Sequence, residues 1–246
     1  MSAEAAHNTR AAYKISAKIL RVITAALFLG VAAISLAGLF SDLYTSIARQ
    51  KRLQSAVGAF SLRASELATR LAPWKTDAWF EYSLNVLRTN YADSAVDSAG
   101  MTVYLSSADA KNWALFARVY GVNRQFNDVF RISTAQSIRL APTAPNWRRQ
   151  VALDGVYWWR DGDAELRKLW LGSMKVSLQL APAEFLRSVV WIHREVEFCH
   201  DVGPQLHLEQ WCSWIVKARR ACQMQGLQPH FLKYCEDYRM LSREGA

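Results

Sequence analysis

The sequence predicts an all-α protein: one N-terminal transmembrane helix, then an α-solenoid of antiparallel helix pairs, then a disulfide-stapled helical cap. Three observations carry this. Val22–Phe40 is nineteen residues without a charge. A Leu-Ala-Pro phrase recurs through the middle of the chain at steps of 34 to 40 residues. All four cysteines fall in the last fifth of the 246 residues. The chain divides accordingly into a cytoplasmic tail (1–21), a transmembrane helix (22–41), a juxtamembrane helix (42–72), helical repeats (73–198) and a cysteine-containing cap (199–246).

At about 1.5 Å per helical residue the apolar run is roughly 28 Å long, close to the hydrocarbon thickness of a bilayer. Arg10, Lys14, Lys18 and Arg21 precede it and Asp42 is the first charge after it. Basic flanks stay on the cytoplasmic side, which puts the N-terminus inside and the large domain outside, in the periplasm if the membrane is a bacterial inner membrane. The alternative is a cleaved signal peptide, because Ser35-Leu36-Ala37 places small residues three and one before a cut. Both readings put the domain outside the cytoplasm.

Composition bounds the rest. Hydrophobic residues make up 51% and charged residues 21%, which excludes bulk disorder. Only 6 Pro and 11 Gly argue against a loop-rich β-sandwich. The net charge is +9; residues 1–40 hold four of the cations against Glu4, which leaves +6 to the remainder. That excess suits anionic partners such as lipid head groups, acidic proteins or acidic polysaccharide. The basic residues are dispersed rather than clustered, which excludes nucleic acid.

From Leu43 to Leu71 apolar residues fall mostly three or four apart, which predicts a helix leaving the membrane and turning at Pro73. Leu71-Ala72-Pro73 then recurs as Leu140-Ala141-Pro142 and Leu180-Ala181-Pro182, with a degenerate Leu105-Ser106-Ser107 between. Pro73 is followed six residues on by Trp79, and Ser107 six on by Trp113; after Pro142 the aromatic comes one early, at Trp147. Pro cannot continue a helix, so each copy closes one helix and a short turn sends the next back antiparallel. The predicted helices are 76–89, 92–105, 109–121, 126–140, 145–159, 163–180 and 183–198.

A period near 34, an apolar helix end closed by Pro and an aromatic opening the next helix resemble tetratricopeptide-type repeats over roughly residues 60–198. The Gly of that pattern is replaced by Ser83 and Ala117, both small, and its later Ala is kept as Ala95 and then becomes Val129. The resemblance implies an inner surface lined by the first helix of each pair. It puts Arg88, Lys111, Arg118, Asn146, Arg149 and Tyr157 on or near a basic groove, which suits a carboxylate-bearing ligand. Tyr157-Trp158-Trp159 is the aromatic candidate within it, because three consecutive residues project about 100° apart and cannot all face one core.

Cys199, Cys212, Cys222 and Cys235 are expected to form two disulfides, Cys199–Cys212 and Cys222–Cys235, each across a helical hairpin turn. Pairing Cys212 with Cys222 would need to span about 15 Å of one helix. Helices are expected near 183–200, 206–223 and 229–241. No close ligand pair supports zinc, and no CxxCH or CxxC supports haem or thiol redox chemistry, so no metal and no cofactor is expected.

No catalytic motif stands out: there is no phosphate loop, GxSxG elbow or HExxH. Glu195 and Glu197 lie on different helix faces, and the turn at Gly203-Pro204 separates His193 and His200 from His207. The sequence therefore reads as a non-catalytic, single-pass scaffold. Its partners would be the bilayer, through Val22–Phe40, and other proteins of an envelope assembly. Similar builds accompany surface-polysaccharide synthesis and export, which the Trp-rich, basic surface suits better, or secretion and pilus machinery. The alternative is an enzyme or direct ligand-binder acting on cell-wall or exopolysaccharide, with Asp154, Asp161 or Glu165 as its carboxylate.

Overall fold

The computed structural model describes residues 3–53, 59–89 and 92–223, and among them every regular element is helical. The chain forms two compact units, Met1–Ser98 and Ala99–Ala246.

The first unit is built on α1 (Ala3–Leu53), α2 (Ala59–Leu71) and α3 (Thr76–Arg88), with the start of α4 (Ala92–Leu105). At 1.5 Å per residue, α1 is about 77 Å long. It runs unbroken through the apolar stretch and beyond it. From Val22 to Leu36 every α1 residue is exposed, whereas Gly38, Ser41, Thr45 and Ala48 are buried at helical spacing. They pack against an equally small face of α2, whose buried residues include Ser61, Ala64, Ser65 and Ala68. Small side chains on both helices let the backbones approach closely; the Ser41 hydroxyl donates to the Ala68 carbonyl at 3.0 Å. The single juxtamembrane helix expected over 42–72 is thus two elements: the end of α1 and the antiparallel α2. Apolar spacing alone could not show this, because both pieces share one helical period.

The second unit holds α5 (Ala110–Val122) paired with α6 (Asp128–Leu140), and α7 (Pro145–Trp158) paired with α8 (Ala164–Leu180). Beyond them come α9 (Pro182–Trp191), α10 (Glu195–Asp201), a 3-10 turn at Gly203–Leu206 and α11 (Glu209–Gln223). Helices α3 to α8 lie within two residues of their predicted bounds.

The sequence repeat is a geometric repeat. The Trp79 indole Nε1 donates to the Pro73 carbonyl at 2.8 Å, and Trp113 Nε1 donates to the Ser107 carbonyl at 2.7 Å. In all four copies the residue after the Leu closes its helix with an N–H to the carbonyl four back. These bonds are Ala72 to Ala68 (3.2 Å), Ser106 to Thr102 (3.0 Å), Ala141 to Ser137 (3.3 Å) and Ala181 to Ser177 (2.9 Å). All four acceptor residues are small and buried.

The core of the second unit is aromatic. Glycines on its first helices, α5 and α7, lie directly against large rings. A Cβ on Gly121 would come within 2.6 Å of the Trp158 ring, and one on Gly155 within 2.4 Å of Trp170 Cβ. Phe130, Trp158, Trp170, Met174, Phe185 and Phe198 form one continuous cluster.

Two expectations are corrected here. The helix predicted over 183–198 is broken: α9 ends at Trp191, His193 takes a left-handed conformation (φ 56°), and α10 starts at Glu195. The N–H groups of His193 and Arg194 turn back to the carbonyls of Val190 and Val189, the ordinary way of closing a helix C-terminus, but without the usual glycine. The helix expected from residue 206 begins at Glu209, because Gly203–Leu206 forms the 3-10 turn. The Cys199–Cys212 disulfide is present, with Cα atoms 5.4 Å apart across that turn. Cys222 is also disulfide-bonded; Cys235 and the helix expected at 229–241 lie outside the described residues.

Candidate functional site

The C-terminal end of α7 sends its three aromatics in different directions, as their spacing requires. Trp158 goes inward: it is 4% exposed and packs edge-on against Phe126 and Phe130, so it is a core residue and offers no surface to a ligand. Tyr157 faces out, with the Arg194 guanidinium 4.7 Å above its ring. Trp159 lies between these extremes, largely buried, with Arg167 stacked 5.9 Å from its ring centre.

Trp159, Arg160 and Asp201 are shared by two adjoining cavities. The larger, about 610 Å³, is completed by Ala164, Arg167, Lys168, Leu171 and Gln205. The smaller, about 190 Å³, adds Tyr157, Arg194, Arg124, Asp161 and Glu197, among others. Together they form a cleft over the end of α7, one face of α8 and the end of α10. Its five cations face three carboxylates, a local excess of +2.

Three of the cations are paired: Arg160 with Asp201 at 2.8 Å, Arg124 with Asp161 at 2.6 Å and Arg194 with Glu197 at 3.4 Å. The hydrogen bond from Arg160 is the main reason the Asp201 carboxyl sits below the usual carboxylate range, with a smaller contribution from His200. Arg167 instead donates to the main-chain carbonyls of Trp159 (3.0 Å) and Arg160 (3.4 Å). These lie at a helix C-terminus, where a cation is favoured. Lys168 has no acidic partner among the described residues. The excess charge of the cleft therefore resides on Arg167 and Lys168.

Lys168 also borders a third cavity of about 510 Å³, shared by α6, α7 and α8 and largely apolar. Arg148 lies in its wall. It is 6% exposed, and its Nη2 donates to the Gly172 carbonyl at 3.2 Å. Its Nε and Nη1 are buried without partners among the described residues. Burial lowers the pKa of this guanidinium.

The predicted groove residues are carried by α3, α5, α7 and the residue that follows α7. Only Tyr157 and Trp159 line the cleft. Lys111 stays at the start of α5, its ammonium 3.5 Å from Asp109, which caps that helix through the Lys111 N–H. Asn146 accepts from Arg149 at 3.3 Å, and Arg149 is paired with Glu184. Arg118 acts on the buried Asp154. Arg88 is at the exposed end of α3, in the first unit.

Each of the three carboxylates considered for catalysis is engaged by a different partner. Asp154 is buried against Gln150, and burial raises its pKa against the pull of Arg118. Asp161 is held by Arg124, and Glu165 by Arg131 at 2.8 Å. Among the described residues no group of three or more His, Cys, Asp or Glu is placed to hold a metal.

No protein-family model matches the chain, and no curated protein is significantly similar to it. Among solved structures, the chain is similar to the crystal structure of MamA protein. That match has a TM-score of 0.47 and 11% identity, over 84% of this chain and 94% of that one. A likeness that faint carries no argument about function.

Sequence reasoning missed Arg160, Arg167, Lys168, Arg194 and Asp201. Mapping ligand contacts onto the first helix of each pair pointed to α3, α5 and α7. The cleft instead uses α8, a second helix, together with α10, which exists only because the chain breaks at His193. One local feature was available: Arg160, Arg167 and Lys168 lie within ten residues of Trp159.

Proposed function

We propose that the protein is a non-catalytic, membrane-anchored scaffold whose helical hairpins bind a partner protein of an envelope assembly. The observation that carries this reading is the continuity of α1. The same helix is exposed from Val22 to Leu36 over a run apolar enough to cross a membrane, and it then supplies the packed face of the first hairpin. A water-soluble protein gains nothing from leaving such a stretch uncovered. The disulfides support an oxidising compartment, which with the basic flank gives an N-terminus inside and the hairpins in the periplasm.

The binding surface is the cleft. Tyr157 supplies exposed apolar area beside the edge of Trp159, and Arg167 and Lys168 supply charge not spent on a neighbouring carboxylate. That combination suits an acidic segment of a partner polypeptide. Surface-polysaccharide synthesis or export is the assembly we assign it to, since a Trp-bearing basic surface also tolerates acidic glycan nearby.

The test is in-cell photocrosslinking from a benzophenone amino acid at position 157, with position 104 as control, because Tyr104 is 81% exposed but lies outside the cleft. A discrete adduct from 157 that disappears in Arg167→Glu/Lys168→Glu supports the reading. An adduct indifferent to that charge reversal, or the same adduct from 104, overturns it.

A further inference from the structure

The turn between α2 and α3, Pro73-Trp74-Lys75, is pinned beside the point where the apolar stretch of α1 ends. The Lys75 ammonium donates to the Gly38 carbonyl at 2.9 Å and to the Asp42 carboxylate at 2.6 Å. Gly38 is the first buried residue of α1 after the exposed run, and Asp42 is the first charge after it. The turn is thereby fixed at the level of residues 38–42. It presents Pro73, exposed, and Trp74, 50% exposed, to the surroundings. On α1 at the same level, Leu39, Phe40 and Leu43 are each more than half exposed.

A half-exposed indole beside three exposed apolar side chains is costly in water. At the edge of a bilayer it is favourable. The run Val22–Phe40 matches the hydrocarbon thickness, so its end marks the interfacial layer, where Trp is enriched because its ring is apolar and its N–H polar. The Lys75–Asp42 pair at this height would lie among the head groups, where charge remains solvated.

We propose that the Pro73–Lys75 turn is a second membrane contact, with Trp74 seated in the interfacial layer on the hairpin side of the bilayer. The partner is the lipid head-group region itself. Two points of contact, α1 and this turn, remove the freedom of the first hairpin to rotate about the α1 axis. The orientation of the hairpin to the membrane is then set by the fold rather than by a partner. This rests on the reading that Val22–Phe40 spans the bilayer.

The full chain is reconstituted in nanodiscs of phosphatidylethanolamine and phosphatidylglycerol. It carries one environment-sensitive fluorophore on Gly30→Cys, Trp74→Cys or Gln50→Cys, and Pro73→Cys serves as a second reporter on the turn. Cys199, Cys212 and Cys222 are disulfide-bonded and do not compete for label while reductant is absent. Quenching is read with lipids bearing a nitroxide at the head group or deep in the acyl chain. Gln50 lies on α1 about 18 Å beyond Gly38 at 1.5 Å per residue, clear of the interface.

The expected result is deep quenching at 30, a loss of roughly half the emission at 73 and 74 with the head-group nitroxide, and none at 50. Quenching at 30, with 73 and 74 no different from 50, overturns the second contact and leaves the spanning helix standing. No quenching at 30 overturns the spanning helix, and the proposal with it.

Discussion

Arg49 donates to the carboxylate of Glu81 at 2.8 Å, tying α3 to the same helix that carries the apolar stretch. The Glu81 side chain is 2% exposed and that of Arg49 51%. The carboxylate is thus the buried member and the guanidinium its route to solvent. Arg49→Ala removes a charged partner from this buried carboxylate. Breaking a fully buried pair costs about 3–5 kcal/mol; here about 2 kcal/mol is expected, because water can partly replace a half-exposed arginine. Glu81→Gln in the Arg49→Ala background removes the buried charge itself and should recover about half of that loss. Urea unfolding of the micelle-solubilised protein measures it, and strictly additive losses would refute the pairing.

Asp154 sets a pH dependence of unusual sign. Its carboxyl is buried against Gln150, and burial raises its pKa in the folded state despite the attraction of Arg118. The folded chain therefore holds this proton more tightly than the unfolded chain. The stabilising contribution is complete below the ordinary carboxyl value of 3.8 and is lost as pH rises through the higher folded value. Asp154→Asn keeps an acceptor for Gln150 and removes the ionisation. The variant should be more stable than the parent at pH 7, with the difference vanishing near pH 4. Thermal melts across that range decide it; a gain that persists unchanged at pH 4 would point to packing instead.

Arg148 is the opposite case, a buried cation with too few partners. Among the described residues only its bond to the Gly172 carbonyl satisfies it, and Nε and Nη1 have no partner there. Methionine fills a similar volume without the desolvation cost, so Arg148→Met should stabilise the isolated protein by about 1–2 kcal/mol. A comparable loss of stability would show that the guanidinium is better satisfied in solution than its geometry implies. Denaturant midpoints distinguish the two.

The repeat was legible because its determinants are local. Pro73, Pro142 and Pro182 stop or start helices by their own covalent geometry, and Trp79 and Trp113 keep a fixed offset from the turns they bond. The ends of α5 and α9 were less so. Arg124 and His193 take the left-handed conformation that sequence reading reserves for glycine, and His207 does the same after the 3-10 turn. Nothing in an arginine or a histidine announces this; it is imposed by the returning hydrogen bonds and the packing around them. The cleft inherited that error. Once the chain breaks at His193, α10 brings Asp201 to Arg160, a contact 41 residues apart that no local pattern contains. The burial of Trp158 beside the outward Tyr157 followed from helical geometry, but which of the three aromatics would turn inward depended on Gly121, thirty-seven residues earlier.

The indole bonds offer a direct test that the sequence repeat is an energetic repeat. Trp79 and Trp113 each reach back six residues to a turn carbonyl, at 2.8 and 2.7 Å, and neither ring is fully buried. A single neutral hydrogen bond contributes about 1 kcal/mol net. Replacing the indole by a ring without an N–H removes the bond and some apolar area together, so Trp→Phe alone is ambiguous. Substituting 3-benzothienylalanine, in which sulfur replaces the indole N–H, keeps the shape and deletes only the donor. Each such substitution should cost about 1 kcal/mol, and the two costs should agree within a few tenths. Unequal costs would mean that the two turns share a sequence phrase without sharing its energetics. No change at either site would make the bonds incidental, leaving Pro73 and the buried small residues at Ala68 and Thr102 to define the repeat.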